Sequence, residues 1–242
     1  RVDAKRSDLY YAAGLLHFEL EQYAQTVGSM DQAVRYDKSL PEGFYYRGLA
    51  KHAQKLHSQA IKDFSKAVKL RPTYSEAHLA RARSQRDRGK GKKAVPDYQL
   101  AINQGIEPEW EAHYEMGFLQ YELEQYQGAA TSLAKARELN SQIVERDMIM
   151  ALGNANLQLN SWDKAQTYFE EILQLDAQSH QAKFGLARLY AGKGQTAEAN
   201  QYLEEVLASG AKGYSLDLIK KDPFFKPMKK DPALKALLAK YF

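Results

Sequence analysis

The chain has 242 residues, of which 26% are charged and 44% hydrophobic, an ordinary balance for a water-soluble globular protein. Its net charge of +4 is too weak by itself to imply a polyanion partner, and no apolar run is long enough to cross a bilayer. With no cysteine, disulfides, thiolate metal sites and a cysteine nucleophile are all excluded.

Residues 1–6, RVDAKR, are polar and read as an N-terminal tail, frayed or continuous with something upstream. The chain starts at Arg1, so either a leader has been removed or the sequence is excised from a longer one. From residue 7 the apolar positions recur at helical spacing, and they also recur over a longer distance. Thr26, Ala60, Ala94, Ala129, Ala165 and Ala199 are separated by steps of 34, 34, 35, 36 and 34. Four places later, in the same steps, come Met30, Phe64, Tyr98, Leu133, Phe169 and Leu203. Twelve places before the alanine column stand Gly14, Gly48, Ala82, Gly117, Gly153 and Ala187. Small residues on two helices let those helices approach closely, and the large residue fills the space that remains.

These columns resemble the tetratricopeptide repeat, a helix-turn-helix unit of about 34 residues. The resemblance covers 7–40, 41–74, 75–108, 110–143, 146–179 and 180–213, with insertions at Glu109 and at Val144–Glu145. It implies an all-α, right-handed superhelical solenoid of six such repeats. The pattern departs from the family at Arg47 and Arg81, where a leucine is usual, and looser packing is expected there. Gly89 and Gly91 fall in an interhelix turn, where glycine supplies positive φ.

Beyond Tyr214 the repeat stops. Asp222-Pro223 and Asp231-Pro232 read as two helix starts, and Leu234, Leu237, Leu238 and Tyr241 form one face of a last helix. Residues 214–242 are therefore expected to cap the exposed end of the array. Similar tails close some bacterial repeat arrays, so the resemblance suggests a bacterial protein of the cytoplasm or periplasm.

No catalytic constellation is apparent. The six histidines form no HExxH arrangement, and His52 and His57 are five apart, off a common helical face. The expectation is a non-enzymatic chain with no cofactor and no metal. What the resemblance implies instead is binding in a concave groove lined by the first helix of each repeat. The inward positions hold Tyr11, Tyr45, Tyr114, Phe118 and Tyr121, suited to bury a partner's apolar side chains. Arg83 and Arg86 would act there as polar selectors for an acidic segment. The Lys and Asn set of chaperone-tail clamps is not supplied, since Tyr11, Leu15, Tyr46, Glu76 and Ala80 occupy its positions. The expected partner is a protein or peptide.

Charge is unevenly distributed: residues 51–93 hold 13 Lys or Arg against 3 Asp or Glu, whereas 107–176 hold 4 against 13. A second reading follows, in which Lys90, Lys92 and Lys93 bind a polyanion such as anionic lipid, nucleic acid being the less favoured. Head-to-tail self-association of basic and acidic stretches is the further alternative.

Overall fold

The repeated columns become helices throughout. A computed structural model describes residues 2–142 and 145–242 and contains, among them, α-helices and one 3₁₀ segment but no strand. Ile143 and Val144 lie outside the described residues, so the end of the fourth expected repeat and part of the second insertion fall there. The first helices are α1 (Val2–Glu19), α2 (Tyr23–Tyr36), α3 (Pro41–Ala53), α4 (His57–Leu70), α5 (Ser75–Asp87) and α6 (Gly91–Asn103). They are followed by α7 (Glu109–Glu122), α8 (Tyr126–Leu139), α9 (Arg146–Gln158), α10 (Trp162–Leu175), α11 (His180–Gly192) and α12 (Thr196–Ala208). Residues 2–6, read from sequence as a tail, instead extend α1. None of these helices is long and apolar enough to cross a membrane.

The chain divides into two compact units, Arg1–Leu119 and Gln120–Phe242, with the division inside α7. In the first unit α1 packs on α2, α3 on α4 and α5 on α6, and each pair packs on the next. In the second, α8 to α12 stack in the same alternating way. Both units thus show the repeated helix-turn-helix packing of an all-α solenoid protein.

The turn inside each pair has one construction. The residue two places before the second helix is left-handed in all six copies: Glu21, Lys55, Gly89, Glu124, Asn160 and Gly194, with φ between 54° and 75°. The next amide then donates back five residues, as from Leu56 N to the Lys51 carbonyl at 2.9 Å and from Lys90 N to the Gln85 carbonyl at 2.8 Å. This Schellman closure satisfies carbonyls that the helix end would otherwise leave open. Glycine meets the positive φ without strain at residue 89, whereas Gly91, expected in the same turn, opens α6 without a positive φ, and lysine meets the positive φ at a cost at residue 55.

Close approach explains the small columns. A Cβ on Gly48 would lie 2.6 Å from the Phe64 ring, and one on Gly153 would lie 2.7 Å from the Phe169 ring. Phe64, Tyr98 and Phe169 are all fully buried, each worth roughly 1.5–3 kcal/mol as burial of a large apolar side chain.

The arginines do not loosen the packing. Arg47 reaches the buried carboxylate of Asp63, with its Nε 3.1 Å from Oδ2, and Lys51 joins at 2.7 Å. One repeat later Arg81 Nε lies 2.8 Å from Asp97 Oδ2, and Gln85 donates to the same oxygen at 2.8 Å. An acidic residue sixteen places beyond each arginine turns the missing leucine contact into an ion pair. Burial alone would raise the Asp97 carboxyl, but hydrogen bonds from His78 and Arg81 hold it below the usual carboxylate range.

The C-terminal segment comprises α13 (Leu216–Lys221), the 3₁₀ segment Pro223–Met228 and α14 (Pro232–Tyr241). Asp222 and Asp231 cap the two starts expected from the sequence, accepting from Phe224 N at 2.9 Å and Ala233 N at 3.0 Å. Ser215 caps the additional α13, accepting from Leu218 N at 3.1 Å. Leu234 and Leu237 of α14 join Leu203 of α12 in one core cluster, so the end of the stack is covered.

Candidate functional site

In the first unit, α3 touches both α1 and α5 directly, and these three helices carry the positions expected to face inward. Between α3, α5 and the start of α7 lies a cleft of about 320 Å³. Its apolar surface comes from Tyr45, Leu49, Leu79 and Ile106. Glu76, Glu107 and Glu111 bring carboxylates to it, and Arg83 and His52 complete its polar lining. Tyr45 is held edge-on by Tyr46 at 5.2 Å and tilted against Tyr74 at 5.0 Å. Burial, and then the nearby Glu76 carboxylate, push the Tyr45 hydroxyl up to about 12, so it stays protonated.

Arg83 and Arg86, expected to select an acidic ligand, already have an acid. Glu115 of α7 accepts from Arg83 Nη2 at 2.6 Å, from Arg86 Nη1 at 2.9 Å and from the Tyr98 hydroxyl at 2.8 Å. Burial opposes ionisation of Glu115, yet the hydrogen bonds, first that of Arg83, hold its carboxyl below the ordinary range. The same network pushes the Tyr98 hydroxyl upward, mainly by burial and then by the Glu115 charge. Glu115 escaped the sequence reading because it stands one place beyond the expected lining position occupied by Tyr114. A signal was present: it follows Arg83 by 32 residues, close to one repeat, which sets the two on neighbouring inward helices. Ile106 was missed because it lies in the turn before α7, outside the helical columns.

The other anchors separate into smaller groups. Tyr11 is half-buried, edge-on to Tyr46 at 6.1 Å, and Phe18 meets the same ring at 5.4 Å. Tyr114 and Phe118 form an edge-on pair at 4.8 Å within the first unit, and Trp110 stands 6.5 Å from Tyr114. Tyr121 belongs to the second unit and meets Tyr126 at 6.0 Å. Lys90, Lys92 and Lys93 are exposed around the start of α6 and make no ion pair among the described residues.

In the second unit the inward face of α11 is covered from within. Phe184 packs on Tyr214 at 4.9 Å and Phe225 at 5.8 Å, while the Arg188 guanidinium lies 4.8 Å over the Phe224 ring.

Two family models described as tetratricopeptide repeat match residues 11–75 and 156–216, one in each unit and together just over half of the chain. The chain belongs to the tetratricopeptide repeat family. Members of such repeat families use the inner surface of stacked helix pairs as an extended binding surface. Among solved structures it is similar to YrrB, a tetratricopeptide protein described as having an unusual peptide-binding site. That match has 19% identity, covers 74% of this chain and 91% of that one, and has a TM-score of 0.63. It is also similar to MamA from Desulfovibrio magneticus RS-1, at 20% identity over 72% of this chain and 97% of that one, TM-score 0.60. A chain of the Naa15/Naa10 complex bound to HypK-THB matches 98% of this chain at 17% identity and TM-score 0.65. This tetratricopeptide chain spans only 36% of that longer one. At these identities the likenesses speak to the fold. No curated protein matches in sequence.

Proposed function

We propose that the chain is a non-catalytic protein–protein interaction scaffold whose first unit receives a partner segment in the cleft between α3, α5 and α7. The segment places an apolar side chain against Tyr45, Leu49 and Leu79, with a basic group beside Glu76, Glu107 and Glu111. The observation that carries this reading is the Glu115 network. Glu115 and Asp87 together balance Arg83 and Arg86, so Glu76, Glu107 and Glu111, the last also 3.7 Å from Arg83 Nη2, leave the cleft with an excess of negative charge. A cation next to an apolar anchor complements that lining, whereas an acidic segment would first have to displace Glu115. Tyr114 and Phe118 on α7, with Tyr11 on α1, supply rigid aromatic surface for further contacts along the partner.

A displayed peptide library selected on the whole chain tests the proposal. Selected peptides should share an aliphatic or aromatic residue next to Arg or Lys. Their affinity should fall at least ~10-fold in a Glu76→Lys/Glu111→Lys variant, as expected for loss of close charge pairs at an interface. Selection of acidic peptides, or affinity unchanged by the double substitution, would overturn it. Lys90, Lys92 and Lys93, exposed and without acid partners among the described residues, support a second reading in which phosphates bind at the α5–α6 turn. Binding of that kind weakens steeply with salt and leaves the glutamate variant unaffected.

A further inference from the structure

We infer that His52, His57 and Asp87 form a binding site for one divalent transition-metal ion of the zinc class. The pair His52 and His57 looked unsuited to a metal on spacing, because five residues do not share a face of one helix. The fold removes that objection. His52 stands at the end of α3 and His57 opens α4, so the left-handed turn at Lys55 folds one ring back onto the other. Their Nδ1 atoms lie 3.3 Å apart, and the rings meet edge-on with centroids 5.0 Å apart. Asp87, the last residue of α5, sets its Oδ2 3.5 Å from His52 Nε2. One ligand atom from each of the three residues lies within 4.8 Å of the others.

Those separations suit an ion. Nitrogen and oxygen ligands held about 2.0–2.1 Å from a tetrahedral metal lie roughly 3.3 Å from one another. One imidazole gives one nitrogen to an ion, so the His52 Nδ1–His57 Nδ1 and His52 Nε2–Asp87 Oδ2 distances belong to alternative ligand sets. The ligand atoms of a single set lie within 4.8 Å of one another, and reaching the tetrahedral value takes a contraction of at most about 1.5 Å, within reach of side-chain rotation. Two imidazoles and one carboxylate are the donor set that zinc and its neighbours prefer, with water left to complete the coordination.

The surroundings favour the same conclusion. Ser84 Oγ, buried and 2.8 Å from His52 Nδ1, holds that ring in place. Arg86 grips the other oxygen of Asp87 at 3.0 Å and leaves Oδ2 turned to His52. Arg83 and Arg86 are the nearest opposing charges, and both are engaged by Glu115. The three ligands come from α3, α4 and α5, so a bound ion would join two successive repeats of the first unit.

The whole chain, stripped of metal with a chelator, can be titrated with Zn²⁺ by calorimetry and with Co²⁺ by visible absorption. The expected result is one ion per chain, ligand-field bands of a low-coordinate Co²⁺ site and a rise in Tm on adding Zn²⁺. Affinity should fall by ~10-fold or more in His57→Ala and in Asp87→Asn, each checked for native helical content by circular dichroism. His113→Ala, which removes another histidine beside a carboxylate on a different helix, should bind as the wild type does. Binding that never saturates at one equivalent, or that survives His57→Ala and Asp87→Asn undiminished, would overturn the proposal. Loss confined to His113→Ala would overturn it equally.

Discussion

The two units solve the same packing problem with different chemistry. In two repeats of the first, the position before the small residue is Arg47 or Arg81, matched sixteen residues later by Asp63 or Asp97, all four placed where the helices of a pair meet. In the second unit the equivalent position is Leu186, fully buried, and sixteen residues later stands Tyr202, packed on the same apolar cluster. The repeat therefore specifies volume and proximity at this seam but not polarity. An ion pair is tolerated there only when both members are present, because a lone buried charge is strongly unfavourable. The inward faces differ in parallel. In the first unit the cleft remains open beside an internally satisfied arginine pair, whereas in the second α11 is covered by Tyr214, Phe224 and Phe225.

The largest effect should come from breaking the ionic seam on one side. Arg81→Leu leaves Asp97, only 3% exposed, without its main partner and should cost about 3 kcal/mol or more in urea denaturation. Arg81→Leu/Asp97→Tyr, which copies the second unit's arrangement, should recover most of that loss. If the double variant is no better than the single, the seams are not equivalent.

Acid sharpens the same contrast. Asp97 and Glu115, both in the first unit, have carboxyls held below their ordinary range, so their stabilisation is present above about pH 4, the unfolded value, and lost as pH falls through the folded one. In the second unit the lowered carboxyls, Asp176 and Glu204, are exposed and worth little. Trp110 and Trp162, the two tryptophans, lie one in each unit, so the variants Trp162→Phe and Trp110→Phe report on the units separately. The Trp110 signal should change at the higher pH on acidification, and coincident transitions would contradict the contrast.

The smallest effects lie in the turns. Gly89→Ala should lower stability by about 1 kcal/mol, the cost of a Cβ in the left-handed region, while Lys55→Gly should raise it by about 0.5 kcal/mol. Thermal denaturation of both variants checks the pair, and effects of the same sign would refute the account of the turn.

The helices, their pairing and the caps at Asp222 and Asp231 were legible because each rests on contacts local in sequence or repeated at a fixed spacing. A small residue at 48, an aromatic at 64 and an alanine at 67 can serve only a close helix crossing, and that logic survives without coordinates. Of the aromatic residues expected at inward positions, Tyr45 lines the cleft, whereas Tyr11, Tyr114, Phe118 and Tyr121 do not. The site was not legible in its charges. Arg83 and Arg86 looked free because their partner, Glu115, lies about thirty residues away on the next inward helix, and no local pattern announces such a pair.

Spacing by itself determined an all-α chain of helix-turn-helix repeats, because periodicity states which side chains must share a face. Only the tertiary structure decided which charges remain available, since an ion pair depends on distances between neighbouring helices. It also decided that His52 and His57 meet across a turn, where the chain reverses and helical periodicity no longer applies.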